Sequence, residues 1–112
     1  MRGGNAALKL DKQAEVFAAL GDRTRLSLVA KLVDGQPHSI STLTEGTKVT
    51  RQAITKHLTV LENVGLVTKS KDGRESLYLL EPEPLKSLQE YLDVIATQWD
   101  GALHRLKSLI EE

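Results

Sequence analysis

Residues 49 to 67, which read VTRQAITKHLTVLENVGLV, hold the clearest structural pattern of the chain. Thr50 is of a residue type that often caps the start of a helix, and Gly65 stands where a left-handed residue would end one. Between them apolar side chains recur every three or four positions, so the sequence predicts an amphipathic helix over residues 51–64. Its predicted inward face consists of Ile54, His57, Leu58, Leu61 and Val64.

The opposite face of this helix is polar and basic, and residues 46–61 contain no acid. An arginine in the first turn opposes the helix dipole, a cost that suits a helix facing a polyanion. When such a helix enters the major groove of DNA, its first residues reach the base edges. Arg can then bind guanine, Gln can bind adenine and Thr can contact the methyl group of thymine. The predicted base-contacting residues are Thr50, Arg51, Gln52 and Thr55.

Before the quoted stretch, the sequence predicts two helices. Residues 1–8 are expected to fray, and residues 9–20 suit a first helix. Its apolar positions are Ala14, Phe17, Ala18 and Leu20. Asp22 can cap the second helix, which ends near Gly35.

The remaining short segments complete a recognisable architecture. An extended piece over residues 38–40 leads to a short helix capped by Ser41. After the basic helix come two strand-like segments, 66–70 and 75–80, and the Asp-Gly pair between them is a strong signal for a tight hairpin. Two helices joined by a turn and followed by a hairpin describe a winged helix-turn-helix, a mainly α fold with a small β-hairpin wing over residues 66–80.

Charge is distributed unevenly along the chain, although the formal net charge of its 112 residues is zero. Residues 46–76 hold six bases against three acids, whereas residues 77–112 hold three bases against seven acids. A basic middle segment suits contact with nucleic acid. We interpret the bases beside the predicted reading residues as phosphate contacts, which raise affinity without reading sequence. They are Lys48, Lys56, Lys69, Lys71 and Arg74.

Composition argues against several other classes of protein. The length fits one domain over residues 1–112. The chain has no cysteine, and no apolar run approaches the length of a membrane span. No Ser, His and acid stand at a spacing typical of a nucleophile, so we expect neither enzyme activity nor a cofactor. We expect a cytoplasmic protein with no membrane partner.

A last helix is predicted over residues 84–111, because Pro84 suits the first position of a helix. Its apolar residues recur at three- and four-residue steps, which is typical of a packing seam. The alternative is ordinary packing on the domain's own core, but a core of about 70 residues cannot cover a helix of about 42 Å. We therefore predict a homodimer. The predicted dimer contacts are Phe17, Leu88, Leu92, Ile95, Trp99 and Leu106.

Four segments carry a resemblance to a known family. They are LGDRTRL (20–26), TRQAITKHLTVL (50–61), GLV (65–67) and DGR (72–74) with Tyr78. In order and spacing they resemble the ArsR/SmtB family of dimeric bacterial winged-helix repressors, over about residues 10–80. The resemblance implies a homodimer that blocks a promoter and dissociates on a signal. It also implies that the helices over residues 9–20 and 84–111 form the dimer interface.

The metal-sensing motifs of that family are replaced in this chain. Ser39 and Ser41 stand where metal-sensing members carry two cysteines, and serine hydroxyls are poor ligands for soft metals. A second zinc motif of the family starts at an aspartate equivalent to Asp93, but its other ligand positions are apolar here. Those positions are Ile95, Leu106 and Leu109. We predict no metal site, with one site formed by Asp93 and His104 across the dimer left open.

The predicted function is a homodimeric repressor that binds double-stranded operator DNA and responds to an unidentified small-molecule or protein inducer, if it has one. The helix over residues 51–64 would read the major groove, and the wing over residues 66–80 would contact phosphates. The alternative is a winged helix used for protein contact, whose basic wing binds an acidic partner protein. Salt-sensitive retention on mixed duplex DNA separates the two functions.

Overall fold

A computed structural model of the protein describes the backbone of residues 2–111 and the side chains of residues 9–111. Helices and a small sheet alternate in the order that the sequence predicted. The helices are α1 (Arg2–Leu20), α2 (Arg23–Leu32), α3 (Ile40–Thr44), α4 (Arg51–Asn63) and α5 (Pro82–Glu111). The strands are β1 (His38–Ser39), β2 (Val67–Asp72) and β3 (Glu75–Leu80). The winged helix-turn-helix prediction is confirmed.

The first helix differs from its prediction in length and in its buried face. It begins at Arg2, so the expected fraying is wrong for residues 2–8, and residue 1 lies outside the described residues. Ala6, Ala7 and Leu8 are strong helix formers, which favours the longer helix. Of the described side chains, those buried on α1 are Gln13, Val16 and Ala19, whereas those exposed include Ala14, Phe17 and Ala18.

The sheet has three antiparallel strands, because the extended piece predicted over residues 38–40 forms β1 and joins the predicted hairpin. Its order is β1-β3-β2, and β1 pairs with the far edge of β3, His38 opposite Tyr78 and Ser39 opposite Leu77. The strand β1 therefore ties the segment before α3 to the wing. Ser39 rather than Ser41 caps α3, because its hydroxyl accepts the Thr42 N–H at 3.2 Å.

The hairpin loop of the wing and the start of α5 also differ by one or two residues from their predictions. Asp72 pairs with Glu75, so the hairpin loop is Gly73-Arg74 and Asp72 belongs to the strand. Gly73 has a φ of 63°, a left-handed conformation that glycine adopts without strain. The helix α5 begins at Pro82, two residues before the predicted Pro84. Both prolines are tolerated there because the first turn has no intrahelical partner for its N–H groups.

The hydrophobic core lies where α1, α2, α3, α4, the sheet and the start of α5 meet. Its largest fully buried side chains are Tyr78, Leu28, Leu32, Leu43, Ile54, Leu58, Leu61, Leu66 and Val67. Leu88, which was predicted as a dimer contact, is only 4% exposed and belongs to this core. That prediction is wrong, because Leu88 lies on the first third of α5, where the helix still crosses its own domain.

Beyond Tyr91, α5 leaves the core, and its side chains are largely exposed to residue 111. The helix has 30 residues and is therefore about 45 Å long. Its apolar positions continue at three- and four-residue steps from the buried Leu88 to the exposed Ile110. These apolar side chains thus form one stripe along α5, which begins in the core at Leu88 and continues exposed to solvent beyond it.

Candidate nucleic-acid interface

Local interactions at both ends fix the basic helix α4. Thr50 caps its start, since its hydroxyl accepts the Ala53 N–H at 3.1 Å. At its end, Gly65 has a φ of 81°, its N–H donates to the Glu62 carbonyl at 3.0 Å, and the Leu66 N–H donates to the Leu61 carbonyl at 3.0 Å. This pair of bonds is the Schellman arrangement. The helix therefore begins and ends as its sequence predicts.

The predicted inward face of α4 anchors the helix on the core. Ile54, Leu58 and Leu61 are fully buried, Val64 packs at the edge of the core, and His57 is half-buried. Three buried residues spaced by four and three positions hold the helix along most of its length. Apolar packing thus anchors this face of α4 on the core, and the polar residues on its other side have no place there.

The turn between α3 and α4 is held by several hydrogen bonds. The Lys31 ammonium on α2 donates to the carbonyls of Leu43 at 3.0 Å and Glu45 at 3.2 Å, at the end of α3. The Thr47 hydroxyl donates to the Thr44 carbonyl at 2.8 Å. Lys48 follows in the same turn and is exposed. The turn thus presents a base beside the start of α4.

The predicted reading residues lie together at the exposed start of α4. Thr50, Arg51 and Gln52 are exposed. Thr55 is half-buried, and its hydroxyl donates to the Arg51 carbonyl at 2.8 Å. Lys56 is exposed one turn further along. The first two turns of α4 therefore offer a guanidinium, an amide and hydroxyl groups on one surface.

The wing carries a second group of bases. Lys69 and Lys71 are exposed on β2, and Arg74 occupies the hairpin loop. Arg74 and Arg51 line one shallow depression of about 330 Å³, together with Ser41, Ser76 and the acidic residue Glu75. Sequence reasoning did not find the two serines, because residues so far apart in the chain carry no local signal for a shared site. The depression joins one predicted reading residue, Arg51, to one predicted phosphate contact, Arg74.

The bases of this surface are available to an external anion. Within residues 9–111, no carboxylate lies within ion-pair distance of any of them. They are Lys48, Arg51, Lys56, Lys69, Lys71 and Arg74. No ion pair therefore neutralises their positive charge, which favours binding of a polyanion.

The residues of the predicted dimer seam lie along α1 and α5. Phe17 is at the border of exposure and its ring stands 6.5 Å from that of Tyr91, which joins α1 to α5. Leu92, Ile95, Trp99 and Leu106 are all exposed, Trp99 to 64%. Leu88 is buried in the core, whereas the other five predicted dimer contacts lie on the surface.

Known proteins resemble this chain in sequence and in structure. A helix-turn-helix domain family matches residues 20–70. The transcriptional regulator YuzN of Bacillus subtilis is 39% identical over 79 residues, which are 65% of this chain and 86% of that protein. The transcriptional repressor SmtB of Mycobacterium tuberculosis is 30% identical over 94 residues, 84% of this chain and 67% of that protein. The chain belongs to the ArsR/SmtB family.

Solved structures of family members have the same fold. An ArsR-like transcriptional regulator from Rhodococcus sp. RHA1 superposes with a TM-score of 0.74 at 38% identity, over 89% of this chain and 93% of the other. The homodimeric winged helix-turn-helix domain of Mb0332 from Mycobacterium bovis superposes with a TM-score of 0.64 at 26% identity, covering 83% and 84%. Membership of this family makes the protein a DNA-binding transcriptional regulator. No helix within the described residues is long and apolar enough to cross a membrane.

Proposed function

We propose that this ArsR/SmtB family member is a homodimeric repressor. It contacts the bases of operator DNA with the start of α4 and the phosphate backbone with its wing. The observation that carries the proposal is the surface formed by the exposed first turn of α4 and the Gly73-Arg74 loop, whose bases have no carboxylate partner in residues 9–111. Arginine and glutamine suit base edges, and lysines on a wing suit phosphates.

The homodimer is supported by the uncovered apolar stripe of α5. Exposed large apolar side chains on this helix run from Leu92 to Ile110, and Leu10 and Phe17 add to them from α1. Soluble monomers rarely expose a contiguous apolar surface of this extent. The stripe begins at the core residue Leu88, so its direction is fixed by the fold. A second copy would bring the same stripe and cover both. The homodimeric family relative Mb0332 agrees with this assembly.

Alanine substitutions at the two arginines of the shared depression test which arginine contacts bases and which contacts phosphates. Arg51→Ala should cost about 1–3 kcal/mol of binding on operator DNA and much less on random duplex, because a base contact is lost. Arg74→Ala should weaken both duplexes alike, because phosphates are present in every sequence. The operator can be obtained by selection from random duplexes, and binding measured by fluorescence anisotropy.

A salt titration of the same variants tests the base-contacting and phosphate-contacting roles independently. If about six to eight phosphates are neutralised per dimer, log affinity should fall with log salt at a slope of roughly −5 to −7. Arg74→Ala removes two contacts per dimer and should flatten this slope by about 2. An effect of Arg74→Ala on operator DNA alone, or equal weakening by Arg51→Ala on both duplexes, would contradict the assignment. Binding to acidic proteins but to no duplex would favour the protein-contact alternative.

Metal ions are not expected to act as inducers. Ser39 caps α3 through its hydroxyl and is buried, so the position that carries a cysteine in metal sensors has a structural role here. Zinc, cadmium and arsenite at stoichiometric amounts should leave operator affinity unchanged. Calorimetric zinc titration together with anisotropy measures this. Tight zinc binding that lowers operator affinity tenfold would contradict the prediction, and Asp93→Asn and His104→Asn would then identify the open site.

A further inference from the structure

One arginine of α2 links three helices behind the recognition surface. The Nε of Arg25 donates to the Ala19 carbonyl in the last turn of α1 at 2.7 Å. Its Nη1 lies 3.1 Å from Nδ1 of His57 on α4. Its backbone N–H donates at 3.0 Å to the carboxylate of Asp22, the residue that caps α2. Arg25 therefore connects a helix of the proposed dimer interface with the proposed reading helix.

The chemistry of this cluster fixes the protonation state of His57. A guanidinium can only donate hydrogen bonds, so Nδ1 of His57 has to accept. An imidazole nitrogen accepts only when it carries no proton, which requires neutral His57 with its proton on Nε2. Protonation would place an N–H and a positive charge against the Arg25 guanidinium. The bond between α2 and α4 exists in one charge state only.

We propose that Arg25 and His57 are a positioning pair for DNA binding, which holds α4 at its reading angle only while His57 is neutral. This inference rests on the proposed function, because it concerns the same recognition helix. Arg51 and Gln52 lie one to two turns before His57 on α4, so a change in how α4 is held against α2 moves the base-contacting groups directly. Neither Arg25 nor His57 needs to touch DNA for this effect.

The surroundings of His57 favour a rearrangement rather than simple tolerance of its charge. The Asp22 carboxylate stands 3.8 Å from Nδ1 of His57, and its pKa is lowered, chiefly because it accepts the Arg25 backbone N–H. It therefore stays ionised when histidine gains a proton. A charged His57 would be repelled by Arg25 and drawn toward Asp22, which already caps α2. Exchanging Arg25 for Asp22 as the partner of His57 changes the contact that holds α4 against α2.

Other charged groups near α4 do not contribute to this contact. α3 carries no titratable residue. The other charged residues of α2, and those of β2 and the described part of α1, form neither a hydrogen bond nor an ion pair with His57. They are Arg23 and Lys31 on α2, Lys69, Lys71 and Asp72 on β2, and Lys9, Asp11, Lys12 and Glu15 on α1. Among the described residues, Arg25 and Asp22 are thus the charged groups that His57 contacts.

The pH dependence of operator binding tests the pair. Wild-type affinity for the selected operator should be roughly tenfold lower at about pH 5.5 than at about pH 7.5, because acid favours the charged form of imidazole. A direct contact between protonated histidine and phosphate would instead strengthen binding at low pH. His57→Asn should remove the dependence and keep the affinity measured at neutral pH, because the asparagine oxygen can occupy the position of Nδ1 and does not titrate. Two matched controls, His38→Asn and His104→Asn, should keep the wild-type profile.

A second variant separates positioning from direct contact with DNA. Glutamine carries no charge, and it has a single amide nitrogen in place of the two guanidinium nitrogens that contact the Ala19 carbonyl and His57. Arg25→Gln should weaken operator binding roughly fivefold to tenfold at neutral pH with an unchanged salt slope. A slope flattened by about 2 would mean that Arg25 binds phosphate, and the inference would be wrong.

The tautomer of His57 can be read without DNA. Nitrogen chemical shifts of the imidazole ring should report an unprotonated Nδ1 at neutral pH, and a protonated Nδ1 would overturn the pair whatever the binding data. A wild type that binds operator with no loss at low pH would overturn this inference alone. A wild type that binds no duplex at either pH would overturn the proposed function as well.

Discussion

The double substitution Leu92→Glu with Trp99→Glu is expected to convert the protein into monomers and to weaken operator binding by at least about a hundredfold. Leu92 and Trp99 are 49% and 64% exposed and lie on the apolar stripe of α5 that the proposed partner would cover. In the dimer, two chains would bury four new carboxylates against apolar side chains, and burying an unpaired charge is costly. Binding to two half-sites as one unit would then be lost, together with an avidity of about 10²–10⁴.

A control with the same added charge isolates the interface from simple electrostatics. Thr97→Glu with Ser108→Glu places two glutamates on the polar side of the same helix, at positions that are also exposed. This variant should remain a dimer, and its operator binding should weaken only modestly through added negative charge. Sedimentation at micromolar concentration measures assembly, and anisotropy measures DNA binding. A wild type that sediments as a monomer, or equal effects of the two double variants, would contradict the proposed interface.

The parts of the fold that the sequence predicted are those whose cause is local. The limits of α4 follow from the Thr50 cap and from Gly65, and its buried face follows from the spacing of Ile54, Leu58 and Leu61. The bases of the candidate site could be placed because they lie on that helix or on a hairpin with a strong turn signal. Each of these features depends on residues within about one or two helical turns of one another.

The features that the sequence did not predict depend on where distant segments meet. Strand β1 was predicted as an extended piece, but its pairing with Tyr78 and Leu77 of β3 carries no local signal. Leu88 and Leu92 occupy equivalent positions in one repeating stripe, and periodicity cannot say that the core ends between them. His57 was predicted on the inward face of α4, but its hydrogen-bond partner Arg25 lies 32 residues away and had no local signal.

Removing the side chain of Leu58 should cost far more stability than removing that of Val60, although both lie on α4. Leu58 is 0% exposed and packed in the core, whereas Val60 is 37% exposed. Leu58→Ala should lower the free energy of unfolding by about 2–5 kcal/mol, the sum of lost apolar burial and a cavity that the core cannot fully close. That is a large share of the roughly 5–15 kcal/mol that stabilises a typical domain.

Val60→Ala should change the free energy of unfolding by about 0.5 kcal/mol or less, because the valine is partly solvated and alanine favours a helix. Urea unfolding followed by circular dichroism measures both variants, at one fixed protein concentration because dissociation would be coupled to unfolding. Similar losses would mean that α4 is not anchored through Leu58. Since Leu58 is buried in the core whereas Arg51 and Gln52 are exposed, its truncation should weaken operator binding only to the extent that it unfolds the protein. A Leu58→Ala protein that is fully folded yet reads DNA poorly would show that core packing under α4 also sets its reading angle, a role that we assign to Arg25 and His57.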